Sequence, residues 1–368
     1  MTLKIIMLVI AVSSFLVSLI FTALTKRLAG RVGFVAHPVS DRHHRTAVPL
    51  GGGIAIFAAL IMAMSVGIIV LRFLSGGSAD GWFAESVIIH RAGFVGRFDQ
   101  LIALMLCMLV LFLLGLWDDL RSLGPFFKLV VLFAVAVIAG VFADVRVEFF
   151  IENKVITTLL SAFWIVLIIN AFNFLDNMDG AAAGIATICA SILFVPAAMN
   201  GQVFVGALAL SFIAVMLGFL VFNFPPARIF MGDAGSLTVG FIIAVLTLKT
   251  TYYQEAGSGC FYPVFMPLLV MAVPLYDFLS VTTLRIRQGK SPFVGDTQHF
   301  SHRLKRCGLT DTQVVLSLYL ATLCTGLGAT FLYQVDLAGA VLIFIQTALI
   351  LVLIAIFEST VKNGTKRY

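Results

Sequence analysis

The sequence predicts an all-α polytopic integral membrane protein with about eleven transmembrane helices, and three observations lead there. Of 368 residues, 61% are hydrophobic and only 11% charged, at a mean hydropathy of +1.07. A soluble protein of this length carries about 25% charged residues. Apolar runs of about 20 residues, the length that spans a bilayer as a helix, recur from end to end. The polar connections are too short for a sizeable soluble domain, so residues 1–368 read as a single transmembrane domain.

The spans follow in order. The first apolar run, 3–24, is too long for a signal-peptide core and has no small-residue cleavage site before Lys26, so it is expected to remain a helix. The connection "DRHHRTAVPLGGG" brings Asp41, His43, His44 and Arg45 up to the second span, 50–73, where an interfacial anchor is the simplest reading. The third, 100–117, stops at "GLWDDLRSLGPFFK", with Asp118 and Asp119 at its end and Lys128 just inside the fourth, 127–143. The fifth, 155–175, ends in "NAFNFLDNMDG" and is followed by the sixth, 181–199, and the seventh, 203–222. Next, "NFPPARIFMGDAGS" leads through Asp233 into the eighth, 235–250. The ninth, 262–284, carries Asp277 and opens into a basic loop, 285–311, before the tenth and eleventh at 312–333 and 337–357.

Seventeen of the 24 Lys and Arg residues fall in one set of connections, which the positive-inside rule makes cytoplasmic. The N-terminus is then outside and the C-terminus inside, as an odd number of spans requires. The net charge of +6 reflects this bias and contact with anionic lipid, and gives no reason to expect nucleic acid. The five cysteines show no CxxC and no metal-ligand spacing, so they read as small buried apolar residues. No internal repeat or low-complexity tract is present.

Carboxylates at span ends are costly and tend to be functional, and here four inner connections or helix ends bring them to one depth: Asp118 with Asp119, Asp176 with Asp179, Asp233, and Asp277 with Asp296. A shared site is expected. In "NAFNFLDNMDG" the spacing Asn170, Asn173, Asp176, Asn177, Asp179 would make one polar patch if the helix continued through it. A helix cap would need only Asn177 or Gly180. Two acids at a helix C-terminus oppose its dipole, so something positive should neutralise them.

Carboxylates and amides without clustered His or Cys imply a hard cation, Mg²⁺ or Mn²⁺ rather than zinc. "FMGDAGSL" offers a glycine-flanked helix start that suits phosphate, although the same residues also make an ordinary capped turn. In the basic loop, "RIRQGKSPFVGDTQHFSHRLKR", His299 and His302 have too few further ligands nearby for a metal site. With Arg303 they read as a grip on a diphosphate or sugar, or else as a solvated positive loop. Acids for a metal, cations for phosphates and a position at membrane depth point together to phosphoryl transfer onto or from a lipid.

These motifs resemble the polyprenyl-phosphate N-acetylhexosamine-1-phosphate transferases. "GLWDD", "NAFNFLDNMDGAAAG", "NFPPARIFMGDAGSLTVG" and "GKSPFVGDTQHFSHRL" occur in the family's order, within a stretch of resemblance from about 37 to 304. The span count and orientation are similar to the WecA-like branch of the MraY-WecA superfamily (glycosyltransferase 4). The resemblance implies transfer of N-acetylhexosamine 1-phosphate, GlcNAc-1-phosphate in that branch, from the UDP-sugar to undecaprenyl phosphate. The products would be the lipid-linked sugar diphosphate and UMP, with Mg²⁺ as cofactor and Mn²⁺ as its alternative. It implies that Asp118 and Asp119 face the polyprenyl phosphate and metal, and that Asp233 is a metal ligand. Asn173, Asp176 and Asp179 would lie beside the nucleotide-sugar, the two acids with catalytic roles. Asn223 and Phe230 would hold and stack on uracil, Arg45 would lie near the nucleotide, and Lys128, His299, His302 and Arg303 would meet phosphates or sugar. The location implied is a bacterial inner membrane with the site on the cytoplasmic face, among membrane lipid; a homodimer stays open.

The chain departs from the family in its last motif. MraY-type enzymes have three consecutive histidines there, and many WecA-like relatives read closer to His-x-His-His, whereas this chain has "HFSHRL" with Ser301. That argues against a muramyl-pentapeptide substrate, the nearest alternative within the enzyme class. The rival from another class is a cation-coupled transporter, in which intramembrane Asp and Asn line a pathway. The lack of an inverted repeat and the placing of the acids at one face, not the midplane, count against it.

Overall fold

The computed structural model describes residues 2–36, 47–75, 96–147, 151–252, 262–291, 300–306 and 308–364. Ten of the described helices are long and apolar enough to cross a membrane, and there are eleven spans if a bent pair is counted as one. In chain order the helices are α1 (Leu3–Val32), α2 (Gly52–Ser75), α3 (Phe98–Leu120), α4 (Pro125–Phe142), α5 (Lys154–Leu175), α6 (Ala181–Met199), α7 (Val203–Asn223) and α8 (Gly232–Lys249). There follow α9 (Met266–Val270), α10 (Ala272–Arg287), α11 (Phe300–Arg306), α12 (Asp311–Thr330) and α13 (Leu337–Gly364).

The ninth span differs from the continuous helix expected. Tyr262–Val270 and Ala272–Arg287 meet at a bend of 63°. Pro274 has no N–H to give the carbonyl four residues earlier. That carbonyl, on Val270, instead faces the Cys189 thiol of α6 at 3.5 Å. The buried cysteine therefore lies against the break, a role its spacing could not suggest.

The core is built around α8, the most enclosed of the spans and the least hydropathic. Its Gly, Ser and Thr residues explain both properties, because small side chains let neighbouring helices approach when lipid supplies no hydrophobic drive for their association. Helices α2, α3, α5 and α6 all pack on it. Gly115 of α3 shows how closely: a Cβ there would lie 2.5 Å from the backbone of Asp233 and Ala234. By contrast α1 and α13 lie at the rim and expose apolar faces of the kind lipid covers.

A two-residue antiparallel ribbon, β1 (Val35–Ala36) with β2 (Val48–Pro49), helps to position the start of α8. The Phe230 N–H donates to the Pro49 carbonyl at 2.9 Å, and the N–H groups of Gly52 and Gly53 donate to the carbonyls of Phe230 and Met231 at 2.9 Å each. The turn before Asp233 is thus tied to the start of α2.

Candidate active site

Four helix ends converge on one linked set of polar side chains. Asp118 lies near the end of α3, where a carboxylate opposes the helix dipole. It is stabilised by the Leu123 N–H on Oδ1 at 2.5 Å and by Lys128 Nζ on Oδ2 at 3.0 Å. Lys128 comes from the first turn of α4, and its ammonium also pairs with Asp233 Oδ2 from the first turn of α8. The other oxygen of Asp233 accepts from Asn173 Nδ2 at 3.0 Å; the same amide donates to Ser236 Oγ at 2.9 Å. Asn173 stands near the end of α5. Residues 118, 128, 173 and 233, distant in the chain, form one continuous chain of charge-assisted hydrogen bonds.

Asp119 is turned elsewhere. Its Oδ1 accepts from the Asp233 N–H at 2.8 Å and its Oδ2 from the Ala234 N–H at 3.0 Å. Those are first-turn donors with no partner inside the helix. The helix start that the sequence offered to phosphate is therefore occupied by the chain's own carboxylate. Gly232 makes room for it: at φ +69 it adopts a backbone that L side chains rarely take, and a Cβ there would lie 2.7 Å from Asp119 Oδ2.

The single polar patch expected in "NAFNFLDNMDG" does not form, because α5 ends at Leu175 and the chain turns at Asp176, the C-cap, before Gly180 at φ +71. The side chains then diverge. Asn170 bonds back to the Val166 carbonyl at 2.8 Å, Asn173 goes to Asp233, and Asn177 Oδ1 accepts from Ser301 Oγ. Asp179, buried, accepts from the Ala227 N–H at 2.8 Å. For Asp179 a backbone N–H thus helps to satisfy the carboxylate.

Asn223 is buried at the end of α7, and both ends of its amide are in use. Its Oδ1 accepts from the Gly180 N–H at 3.0 Å, and its Nδ2 donates to the Ile229 carbonyl at 2.9 Å. Asp179 and Asn223 thus stitch the turn after α5 to the turn before α8. Phe230, half-buried, is held there by its backbone. Asn223→Ala would leave a buried N–H and a buried carbonyl without this partner, at about 1–3 kcal/mol for each unsatisfied group. A lower melting temperature of the purified protein is expected; an unchanged one would show that other contacts hold the two turns.

Of the basic loop, α11 is described. Buried Ser301 meets Asn177 at the end of α5, and Arg303 Nη2 donates to Ser280 Oγ of α10 at 2.7 Å. Ser301 therefore helps seat this helix. His302 belongs to α11, but its side chain, like all of Arg45, Asp296 and His299, lies outside the described residues. Residues missed by sequence reasoning include Leu123, which acts through its backbone and leaves no side-chain signal. Another is Ser236, read only as a helix start.

Among the described residues, no three His, Cys, Asp or Glu side chains gather as a metal shell. The donor set nevertheless fits a hard cation. Asp118 and Asp233 already converge on one positive centre, and their two charges exceed the single charge of Lys128. Mg²⁺ usually takes one or two carboxylates and completes its octahedron with water and substrate phosphate.

Residues 101–251 match the family described as glycosyl transferase family 4. Over 315 residues the chain is 31% identical to the probable undecaprenyl-phosphate N-acetylglucosaminyl 1-phosphate transferase of Bacillus subtilis, covering 83% of this chain and 79% of that one. It is 27% identical over 338 residues to the undecaprenyl-phosphate alpha-N-acetylglucosaminyl 1-phosphate transferase of Salmonella typhi, with 88% and 83% covered. To the decaprenyl-phosphate N-acetylglucosaminephosphotransferase of Mycobacterium tuberculosis it is 29% identical over 331 residues, with 81% and 76% covered. The family match contains all four helix ends that carry Asp118, Lys128, Asn173 and Asp233.

Proposed function

The chain belongs to glycosyl transferase family 4, and from that premise we propose that it transfers GlcNAc-1-phosphate from UDP-GlcNAc to undecaprenyl phosphate, releasing UMP. The observation that carries the reading is the convergence of Asp118, Lys128, Asn173 and Asp233 at the ends of membrane-spanning helices. It joins acids suited to a divalent cation with an ammonium suited to phosphate, at the depth of a lipid headgroup. The relatives named for this reaction support it along most of the chain. The positive-inside bias supports a multi-pass protein of the inner membrane, with N-terminus outside, C-terminus inside and this site on the cytoplasmic face.

In the reaction a non-bridging oxygen of undecaprenyl phosphate attacks the sugar-bearing phosphorus of UDP-GlcNAc. The bond from that phosphorus to the bridging oxygen breaks, and UMP leaves with the electron pair. A phosphate monoester has its second pKa near 6, so the acceptor is largely dianionic at neutral pH and needs no base to deprotonate it before direct attack. Asp118, fixed by the Leu123 N–H and Lys128, orients the acceptor phosphate. Lys128 turns its ammonium to the diphosphate. Asp233, with Asn173 behind it, would hold the divalent cation, Mg²⁺ or in its place Mn²⁺, which would supply positive charge to the oxygens of the transferring group. Asp176 lies on the same helix end as Asn173, towards the nucleotide-sugar.

The test is UMP release by the purified protein with undecaprenyl phosphate, Mg²⁺ and a panel of UDP-sugars. Release with UDP-GlcNAc above all others is the expected result. Sugar movement across a vesicle membrane with no UMP would sink the enzyme reading in favour of a transporter. A phospho-sugar adduct on the protein, isolated without lipid acceptor, would replace direct attack by a covalent route.

A further inference from the structure

We propose that Asp119 is a positioning residue rather than a metal ligand or a base: it fixes the backbone that presents Asp233. This inference rests on the transferase reading for its kinetic readouts, although its main measurement does not need turnover.

The adjacent acids Asp118 and Asp119 have separate surroundings. Asp118 reaches Lys128 and, through it, Asp233. Asp119 gives one oxygen to each of two consecutive N–H groups, of Asp233 and Ala234, at 2.8 and 3.0 Å. A carboxylate at that place satisfies two orphan donors and meets the positive end of the α8 dipole. Each oxygen keeps a second lone pair, but the two N–H bonds fix the carboxylate against the first turn of α8, whereas Asp118 and Asp233 are the acids that share the Lys128 ammonium.

The neighbouring chain is shaped around this contact. Gly232 leaves space for the carboxylate, and Gly115, four residues before Asp119 on α3, lets that helix press on the backbone of Asp233 and Ala234. Asp119 thus clamps the first turn of α8 to the end of α3, which also carries Asp118. The separation of Asp118 from Asp233, the two acids that share Lys128, is set through this clamp. A charge-neutral replacement should loosen Asp233 without deleting a ligand.

The test titrates Mn²⁺ into purified protein, following free Mn²⁺ by electron paramagnetic resonance, with melting temperature and UMP kinetics measured on the same samples. For Asp119→Asn the expected result is Mn²⁺ affinity weakened about 10–100-fold, the usual cost of losing a group that orients a metal ligand. Excess Mn²⁺ should recover much of the lost kcat, and the KM for UDP-GlcNAc should stay near that of wild type. Asp233→Asn, in contrast, should lose the site at every Mn²⁺ concentration. Gly232→Ala disturbs the same clamp while keeping all three aspartates, so weakened Mn²⁺ binding there separates positioning from ligation even if Asp119→Asn folds poorly.

Wild-type Mn²⁺ affinity in both Asp119→Asn and Gly232→Ala would overturn the proposal. So would an Asp119→Asn protein, folded by its melting curve, whose loss of Mn²⁺ binding equals that of Asp233→Asn and resists excess metal; Asp119 would then be a ligand. A wild type that binds Mn²⁺ but releases no UMP overturns the transferase reading alone, and the titrations still decide the role of Asp119.

Discussion

Asp233→Asn is expected to lower UMP release by at least about 10³-fold, the upper end of what enzymes lose with one preorganised electrostatic partner, while the protein still folds. The carboxylate joins both halves of the site, with Oδ2 on the Lys128 ammonium and Oδ1 on the Asn173 amide. An asparagine has one acceptor where the aspartate has two. If its oxygen faces Lys128, its NH₂ meets the Asn173 NH₂; if it is flipped, its NH₂ meets the ammonium. Either way two donors face each other, and the negative charge that would draw a divalent cation is gone. The fold should tolerate the change because Asp233 keeps its backbone bond to Asp119 and its side chain is 31% exposed. The measurement is UMP release against Mg²⁺ concentration, alongside the melting temperature. A variant within tenfold of wild type at saturating Mg²⁺ would remove Asp233 from the site.

The second large effect is expected for Lys128→Met, which keeps much of the stem's bulk and removes the charge. Without the ammonium, Asp118 and Asp233 face each other as like charges in half-buried surroundings. Removing one partner of a fully buried ion pair costs about 3–5 kcal/mol. The cost here should be smaller, since Asp233 is partly exposed to screening. Two consequences follow with opposite signs. Without divalent metal the variant should melt below wild type, and adding Mn²⁺ should raise its melting temperature by more than it raises that of wild type, because the cation relieves the repulsion. UMP release should nevertheless fall about 10²–10³-fold even in saturating metal, since the phosphates have lost their ammonium. A variant whose Mn²⁺-induced stabilisation is no greater than that of wild type would show that Asp118 and Asp233 do not share a cation site. Full activity in saturating metal would show that Lys128 does not meet the phosphates.

Much of the architecture was legible in the residue order. Eight apolar runs, from 3–24 to 235–250, correspond to α1 through α8 within a few residues, apart from α1, which continues to Val32. The tenth and eleventh correspond to α12 and α13. Lipid makes this possible, because it demands a long apolar run wherever the backbone must satisfy itself as a helix. The bend in the ninth span was less legible. Pro274 was visible, but the Cys189 thiol that meets the freed carbonyl comes from another helix.

What the sequence determined by itself is the class of molecule and the inventory of its chemistry: a helical membrane protein with acids, amides and a lysine at span ends. Helical periodicity and the cost of charge in lipid are local rules, and they act on neighbours in the chain. Only the tertiary structure decided which of those groups meet. It separated Asp118 from its neighbour Asp119, sending one to Lys128 and the other to the first turn of α8. It also divided the residues of "NAFNFLDNMDG" among Asp233, Ser301 and Ala227. Those partners lie 48 to 124 residues away in the chain. They are brought within hydrogen-bond reach by the close packing of small residues around α8, and no spacing along a single helix encodes that packing.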